Sequence, residues 1–288
     1  MIQRELPAGG PDAVCAALYA GAVFLLPASP PTHALAADVA RLLEEEFGTG
    51  PFHEAQFRLT PDEFFNAAGR VRRRVYLEAP FPAHVAGTMQ SLGFEPDVHA
   101  YDPLRLRVNA HAAGDNPDAR PVYYAHRDTW YANPQCQINW WVPLHDVSEE
   151  ETFVFFPEYF ARPVENDSRD FDYDEWMQGG PELRIGWQNP GAGRTAHYPA
   201  FFGDLGKTPR VGFSARAGEL LLFSSAHLHQ TVPHRTRRTR FSVDFRTAHM
   251  GDHTAGIGAP NVDNGSTGSA LRDYVLPGVP WSFAAGHR

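Results

Sequence analysis

Apolar and polar positions along the chain follow two regimes, with the change near residue 100. In the first, apolar residues recur at helical spacing. Ala13, Val14, Ala17 and Leu18 mark a short helix over Pro11–Ala20, with Pro11 in its first turn. Gly21–Leu26 is a compact apolar run before Pro27 and reads as a strand. Leu35, Val39, Leu42 and Leu43 share one face of a second helix, capped by Thr32, running to Phe47 and stopped by Gly48. A further helical stretch is expected from Ala83 to Leu92.

Beyond residue 100 the period shortens to two. Leu104, Leu106 and Val108 fall on one face of a strand, and Arg105, Arg107 and Asn109 on the other. Val122–Ala125 leads into the next motif, and Gln137–Leu144, Thr152–Phe156, Gly218–Ser224 and Thr239–Phe245 are further short strand-like runs, divided by Gly, Pro and Asp. This pattern predicts a mainly β core, a sandwich or barrel, with flanking helices. Residues 158–210 break the rhythm with Asn166-Asp167-Ser168, the stretch Asp170–Trp176 and Gly179, Gly180, Gly191 and Gly193. Such an insertion between core strands reads as a lid or binding loop rather than a second domain. The tail 251–288 is rich in Gly, Pro and Asn and reads as a loop pinned by Leu271, Tyr274, Val275 and Trp281. The expectation is one domain over 1–288, with helices in about 1–100, the β core in about 101–250 and the tail behind it.

Composition narrows the partners. A net charge of −9 makes a phosphate backbone an unfavourable general partner, and Arg235, Arg237 and Arg238 read as a solvated hairpin tip. Cys15 and Cys136 form no C-x-x-C pair and read as buried thiols in a reducing compartment. The start MIQRELPAGGPD has neither the basic opening nor the apolar run of a signal peptide, and the run Ala20–Ala28 is too short to span a bilayer. A cytoplasmic protein is expected, with a small-molecule partner rather than nucleic acid or membrane.

The chemistry concentrates in Tyr124–Trp130. His126-Arg127-Asp128 followed by Asn133 has the spacing of a kinase catalytic loop. A kinase also needs a glycine-rich loop and a strand lysine upstream. Lys207 is the only lysine, and Asp244-Phe245-Arg246 carries the wrong third residue, so the kinase reading fails. The other chemistry is a metal site. At a strand end, side chains two residues apart point the same way, so His126 and Asp128 can supply two ligands of a two-histidine, one-carboxylate triad. The stretch Ser224–His234 offers His227, His229 and His234 as a third.

Four segments in order carry a resemblance. They are His126-Arg127-Asp128, then Gly218-Glu219 with the strand Leu220–Phe223, then His229 with Pro233, then Arg240-Phe241-Ser242. Over about residues 100–250 the chain resembles the iron- and 2-oxoglutarate-dependent oxygenases, particularly the phytanoyl-CoA dioxygenase-like branch. The resemblance implies a double-stranded β-helix core of jelly-roll or cupin type. It implies Fe(II) held by His126, Asp128 and His229, with 2-oxoglutarate and O2 as cosubstrates. His229 is the third ligand by its spacing to Pro233 and Arg240; His227, on the same strand face, is the reserve candidate and otherwise a pocket residue. His234, after a proline in an arginine-rich turn, is expected to face solvent.

The resemblance also gives Arg240 the far carboxylate of 2-oxoglutarate, because a guanidinium fork matches a planar carboxylate, with Ser242 adding a hydroxyl donor. Asn139 and Gln137 stand at polar positions expected to touch the cosubstrate. Arg105, Arg107, Tyr124, Trp130, Trp141 and His227 are candidates for the substrate pocket, whose arginines suggest a small anionic metabolite. Retention of a carboxylate at Asp128 makes hydroxylation the default outcome, with desaturation or cyclisation open to the same ligands. A different metal-dependent β-barrel enzyme and a metal-stabilised binding module also remain open.

Overall fold

The computed structural model describes residues 2–115, 122–179, 185 and 197–279. Its N-terminal part holds α1 (Gly10–Tyr19), β1 (Val23–Leu26), α2 (Pro30–Phe47), α3 (Pro61–Leu77) and α4 (Pro80–Gln90). The β-rich part holds β2 (His99–Tyr101), β3 (Arg105–Asn109), β4 (Gln137–Pro143), β5 (Phe153–Phe155), β6 (Leu220–Ser224), β7 (His229–Thr231) and β8 (Arg240–His249). Two further helices are α5 (Tyr173–Met177) and α6 (Met250–Ala255).

Among the described residues, six strands form one antiparallel sheet in the order β1-β6-β4-β8-β2, with β3 also paired to β8. A second sheet, β5-β7, faces it. This is the expected mainly β, jelly-roll-like core with flanking helices. Alternation sorts the large sheet into two faces. Ile138, Trp140, Val142, Leu220, Leu222, Phe241, Val243 and Phe245 point outward into a core shared with Leu35, Val39, Leu42 and Leu43 of α2 and Val71 and Val75 of α3. Val23, Leu25, Trp141, Leu221 and Phe223 point inward and meet Phe153, Phe155 and Phe213 from the opposite side. The polar inward positions left over on β3, β4 and β8 line the space between the sheets.

Several boundaries differ from the sequence expectation. The cap of α2 is Ser29, in extended backbone; Thr32 lies inside the helix and its Oγ1 accepts from Ser29 N–H at 2.9 Å. α3 was not expected at all. It begins with a reciprocal cap in which Thr60 N–H donates to Glu63 Oε2 at 2.9 Å and Glu63 N–H donates to Thr60 Oγ1 at 3.3 Å. β8 runs on to His249, beyond the expected end at Phe245. The tail opens with α6 rather than a loop, because His249 caps its N-terminus and Gly256, at φ 68, supplies the left-handed residue that ends it.

Further along, Val275 pairs with Tyr101, and Leu271 and Tyr274 pack with Ala100, Cys136 and Ala248. Trp281, Gly180, Gly191 and Gly193 lie outside the described residues. Both cysteines are buried and free. Among the described residues, no helix is long and apolar enough to cross a membrane.

Candidate metal centre

Three segments converge at the open end of the two sheets. His126 lies in a one-residue bridge to His229, the first residue of β7. Asp128 starts the 3-10 turn Asp128–Tyr131 and is tied down by its own N–H to Ser225 O at 3.0 Å. Asn133 Nδ2 donates to Asp128 O at 2.8 Å and closes this turn, which is the structural use of the residue that mimicked a kinase asparagine.

Candidate ligand atoms of His126, Asp128 and His229 lie within 4.8 Å of one another, the only such group among the described residues. The imidazole tautomers follow from their partners. His126 Nδ1 lies 2.8 Å from Tyr124 O, and His229 Nδ1 lies 3.0 Å from His227 O. A carbonyl can only accept, so each Nδ1 carries the proton and each Nε2 keeps a lone pair for a metal. Burial pushes the His229 imidazole down to about 4, with the neighbouring His126 adding to the effect, so His229 is neutral near pH 7. Burial alone would raise the Asp128 carboxyl, but His126, His229 and Arg246 outweigh it and hold it well below the usual carboxylate range. Two imidazole nitrogens and a carboxylate, aimed at one point, suit a divalent transition metal.

His227 is not part of this group. Its ring is buried between Phe155 and Phe160, with centroids 5.3 and 4.6 Å away, and burial pushes it down to about 3. His234 does not face solvent. It is buried, with Nε2 3.1 Å from Asn109 O and Nδ1 3.0 Å from Thr236 Oγ1. The charged residues around it take the surface instead: Arg235 pairs with Asp115 and Arg237 lies over the Phe57 ring.

The inward face of the large sheet brings Arg240, Ser242, Asp244 and Arg246 of β8 alongside Arg105, Arg107 and Asn109 of β3 and Gln137, Asn139 and Trp141 of β4. Arg240 is 5% exposed and has no carboxylate partner among the described residues. Its Nη1 donates to Ser242 Oγ at 2.9 Å, while its Nε has no partner. Burial, then the charge of Arg107, push its guanidinium down to about 10. Ser242 Oγ also accepts from Trp141 Nε1 at 2.8 Å, so its own hydrogen is left to donate.

The two β3 arginines are differently placed. Arg105 is buried and paired with Asp102. Arg107 holds Asp244 bidentately at 2.6 and 2.8 Å and is 42% exposed at its side chain. Tyr124 is partly exposed, on the rim of an open cavity of about 530 Å³ that also includes Phe156, Phe201 and Arg210. Trp130 is fully buried and donates to Asp263 Oδ1 at 2.8 Å, away from the inward face.

Sequence reasoning missed four residues here. Arg246 lies opposite Asn139, donates to Asp102 Oδ2 at 2.9 Å and contributes to the charge around Asp128. Its signal was the continued alternation Arg240, Ser242, Asp244, Arg246, cut short by ending the strand at Phe245. Tyr131 stands edge-on to His126, with centroids 5.6 Å apart. Tyr274 donates to Gln137 Oε1 at 2.9 Å. Arg127, between the two ligands, points away from them and bonds the carbonyls of Tyr159, Arg162 and Ala226 and the carboxylate of Asp263.

No known family profile and no curated protein matches the chain. Among solved structures it is similar to EctD from S. alaskensis in its apoform, at 13% identity over 90% of this chain and 85% of that one, with a TM-score of 0.42. It is also similar to the epimerase SnoN in complex with Fe3+, alpha-ketoglutarate and nogalamycin RO, at 17% identity over 89% of this chain and 97% of that one, with a TM-score of 0.40. A third is AviO1 from Streptomyces viridochromogenes Tue57, at 11% identity over 81% and 94%, with a TM-score of 0.37.

Proposed function

We propose that this protein is an iron(II)- and 2-oxoglutarate-dependent dioxygenase that hydroxylates an aliphatic C–H bond of a small metabolite and releases succinate and CO2. The observation that carries the reading is Arg240. A buried guanidinium without a carboxylate costs several kcal/mol unless a ligand supplies the missing charge. A metal-dependent hydrolase or a metal-stabilised binding module has no need of that arrangement, whereas a dicarboxylate cosubstrate does.

The residues divide the work. His126, Asp128 and His229 hold the metal through two Nε2 atoms and a carboxylate oxygen. Arg240 binds the far carboxylate of 2-oxoglutarate through its unbonded Nε and its remaining N–H groups, and Ser242 donates its hydroxyl hydrogen to the same group. Bound there, iron with 2-oxoglutarate and O2 supplies an oxidant able to remove hydrogen from an unactivated C–H bond. Phe153, Phe155 and Phe223 surround the His229 ring at centroid distances of 5.8, 6.3 and 5.4 Å and exclude water from that side.

Arg107, half exposed beside the buried Arg240, is the arginine that would meet a polar or anionic end of the substrate. Arg105, buried against Asp102, shapes the sheet instead. Asp128 keeps a carboxylate on the metal, which favours hydroxylation over halogenation.

The test is anaerobic addition of Fe(II) and 2-oxoglutarate, followed by the weak visible charge-transfer band. The band, and succinate formation with a panel of small metabolites under air, are expected. Absence of both sinks the reading. One atom from 18O-labelled O2 enters succinate in every outcome; incorporation of the other into the oxidised metabolite separates hydroxylation from desaturation and cyclisation.

A further inference from the structure

The amide of Gln137 is gripped from both ends. On one side Tyr274 OH lies 2.9 Å from Oε1. On the other, Nε2 reaches Asn139 Oδ1 at 3.1 Å and, more weakly, Asp128 Oδ2 at 3.5 Å. Side-chain amides can be turned end for end, so the polarity of this chain must be decided by groups that cannot turn. The Asp128 carboxylate is one: it only accepts, so the NH2 end of Gln137 faces it and the carbonyl end faces away. Tyr274 must then donate. Asn139, receiving the Gln137 NH2 on its own carbonyl, is left with Nδ2 pointing onward.

That Nδ2 is buried and has no partner. An unmade hydrogen bond at a buried donor costs about 1–3 kcal/mol, so the arrangement anticipates an oxygen acceptor in the space between the sheets. Asn139 shares that face with Arg246, directly across the ladder, whose Nε is likewise without a partner. Both donors are held in place by the protein: Asn139 Oδ1 takes the Gln137 NH2 at 3.1 Å, and Arg246 Nη1 donates to Asp102 Oδ2 at 2.9 Å.

We propose that Tyr274 is a positioning residue for the cosubstrate: by donating to Gln137 Oε1 it fixes both amides so that Asn139 offers its NH2 to an oxygen of bound 2-oxoglutarate. This rests on the proposed cosubstrate. The orientation itself does not, and the two can be tested apart. The tail segment that carries Tyr274 is anchored independently, by Val275 N–H to Tyr101 O at 2.7 Å and by Tyr173 OH to Asp273 Oδ2 at 2.5 Å. Removing the phenol oxygen therefore leaves the segment in place.

The experiment uses the 15N-labelled full chain loaded with Zn(II), in the wild type and in Tyr274→Phe. The Asn139 side-chain NH2 pair is assigned by its loss in Asn139→Asp. Tyr274→Phe is expected to move that NH2 pair while leaving backbone amides of β6 and β8 in place. An unmoved Asn139 pair overturns the proposal, whatever 2-oxoglutarate does. A second arm measures 2-oxoglutarate affinity on Co(II)-loaded protein. Tyr274→Phe is expected to weaken it about 5-fold with Co(II) affinity unchanged, and the double variant with Asn139→Ala to bind no worse than Asn139→Ala alone. Additive losses, or an equal loss of Co(II), overturn the positioning role. Wild-type protein that takes Co(II) but shows no response to 2-oxoglutarate sinks the cosubstrate reading, and overturns the positioning role with it.

Discussion

His126 and His229 exchange both of their backbone hydrogen bonds, each N–H to the other's carbonyl at 3.0 Å. Two metal ligands from distant parts of the chain thus occupy one rung of a ladder, with ring centroids 4.4 Å apart. The rung exists only when β7 has closed against the segment ending in Asp128, so the site is a product of folding and absent from the unfolded chain. Metal binding must then stabilise the fold.

Co(II) or anaerobic Fe(II) at about 100 times its dissociation constant is expected to add roughly 2.7 kcal/mol of stability. Differential scanning fluorimetry with and without metal reads this as a rise in Tm, reversed by chelator. His126→Ala, Asp128→Ala and His229→Ala abolish the shift. His227→Ala retains it, because that ring lies in the aromatic layer behind the site. A shift lost in His227→Ala but kept in His229→Ala would reassign the third ligand.

Arg240→Ala removes charge-assisted hydrogen bonds of about 1.5–3 kcal/mol, which is on the order of 10- to 100-fold in 2-oxoglutarate affinity. Arg240→Lys recovers little, since an ammonium cannot reproduce the planar fork. Isothermal titration of metal-loaded protein measures both. Co(II) affinity, as a control, is expected to be unchanged.

Arg127 is 1% exposed and satisfies carbonyls on two segments, the turn holding Tyr159 and Arg162 and the loop at Ala226, besides Asp263, so its loss leaves a buried carboxylate and several acceptors uncompensated. Arg127→Met is expected to destabilise by about 3–5 kcal/mol in urea unfolding. A loss below 1 kcal/mol would show that the carbonyls find water instead.

His145 sets a pH dependence. Burial, then Arg238 and His53, push it down to about 4. An unfolded histidine titrates near 6.5, so between those values the unfolded chain binds a proton that the fold refuses. Stability is therefore full above pH 7 and falls as pH drops from about 6.5 towards 4, by roughly 3 kcal/mol from this residue. Urea midpoints across that range, compared with His145→Gln, test it: the variant starts less stable at pH 7 and shows a shallower decline.

Much of this architecture was legible because alternation is a strong signal where one sheet face is buried against helices and the other lines a polar space. The same alternation carried Arg240 and Ser242 onto one side and put His126 with Asp128. α3 was hidden by its arginines. Ala67, Ala68, Val71 and Val75 keep helical spacing and are buried, but Arg70 and Arg74 lie between them and reach back to Glu46 and Glu45 on α2. The cap Thr60-Pro61-Asp62-Glu63 was the readable signal. His234 was misplaced because its charged neighbours set the expectation, while its ring turns under them to bond a β3 carbonyl. Tyr274 reads as a pin of the tail, but its hydrogen bond has no local signal: its partner Gln137 is 137 residues away, and only closure of the tail over β4 unites them.

Trp141 gives the cleft its own optical sensor. Its indole N–H is held 2.8 Å from Ser242 Oγ, its ring is fixed edge-on between Phe153 and Phe213, and only 3% of the residue meets solvent. Any dicarboxylate that draws on the Ser242 hydroxyl repolarises the indole's one hydrogen bond, so ultraviolet emission follows occupancy without a label. With 6 tryptophans in the chain, subtraction of a Trp141→Phe reference isolates the signal and is expected to turn binding of 2-oxoglutarate, or of a competing dicarboxylate, into a fluorescence titration.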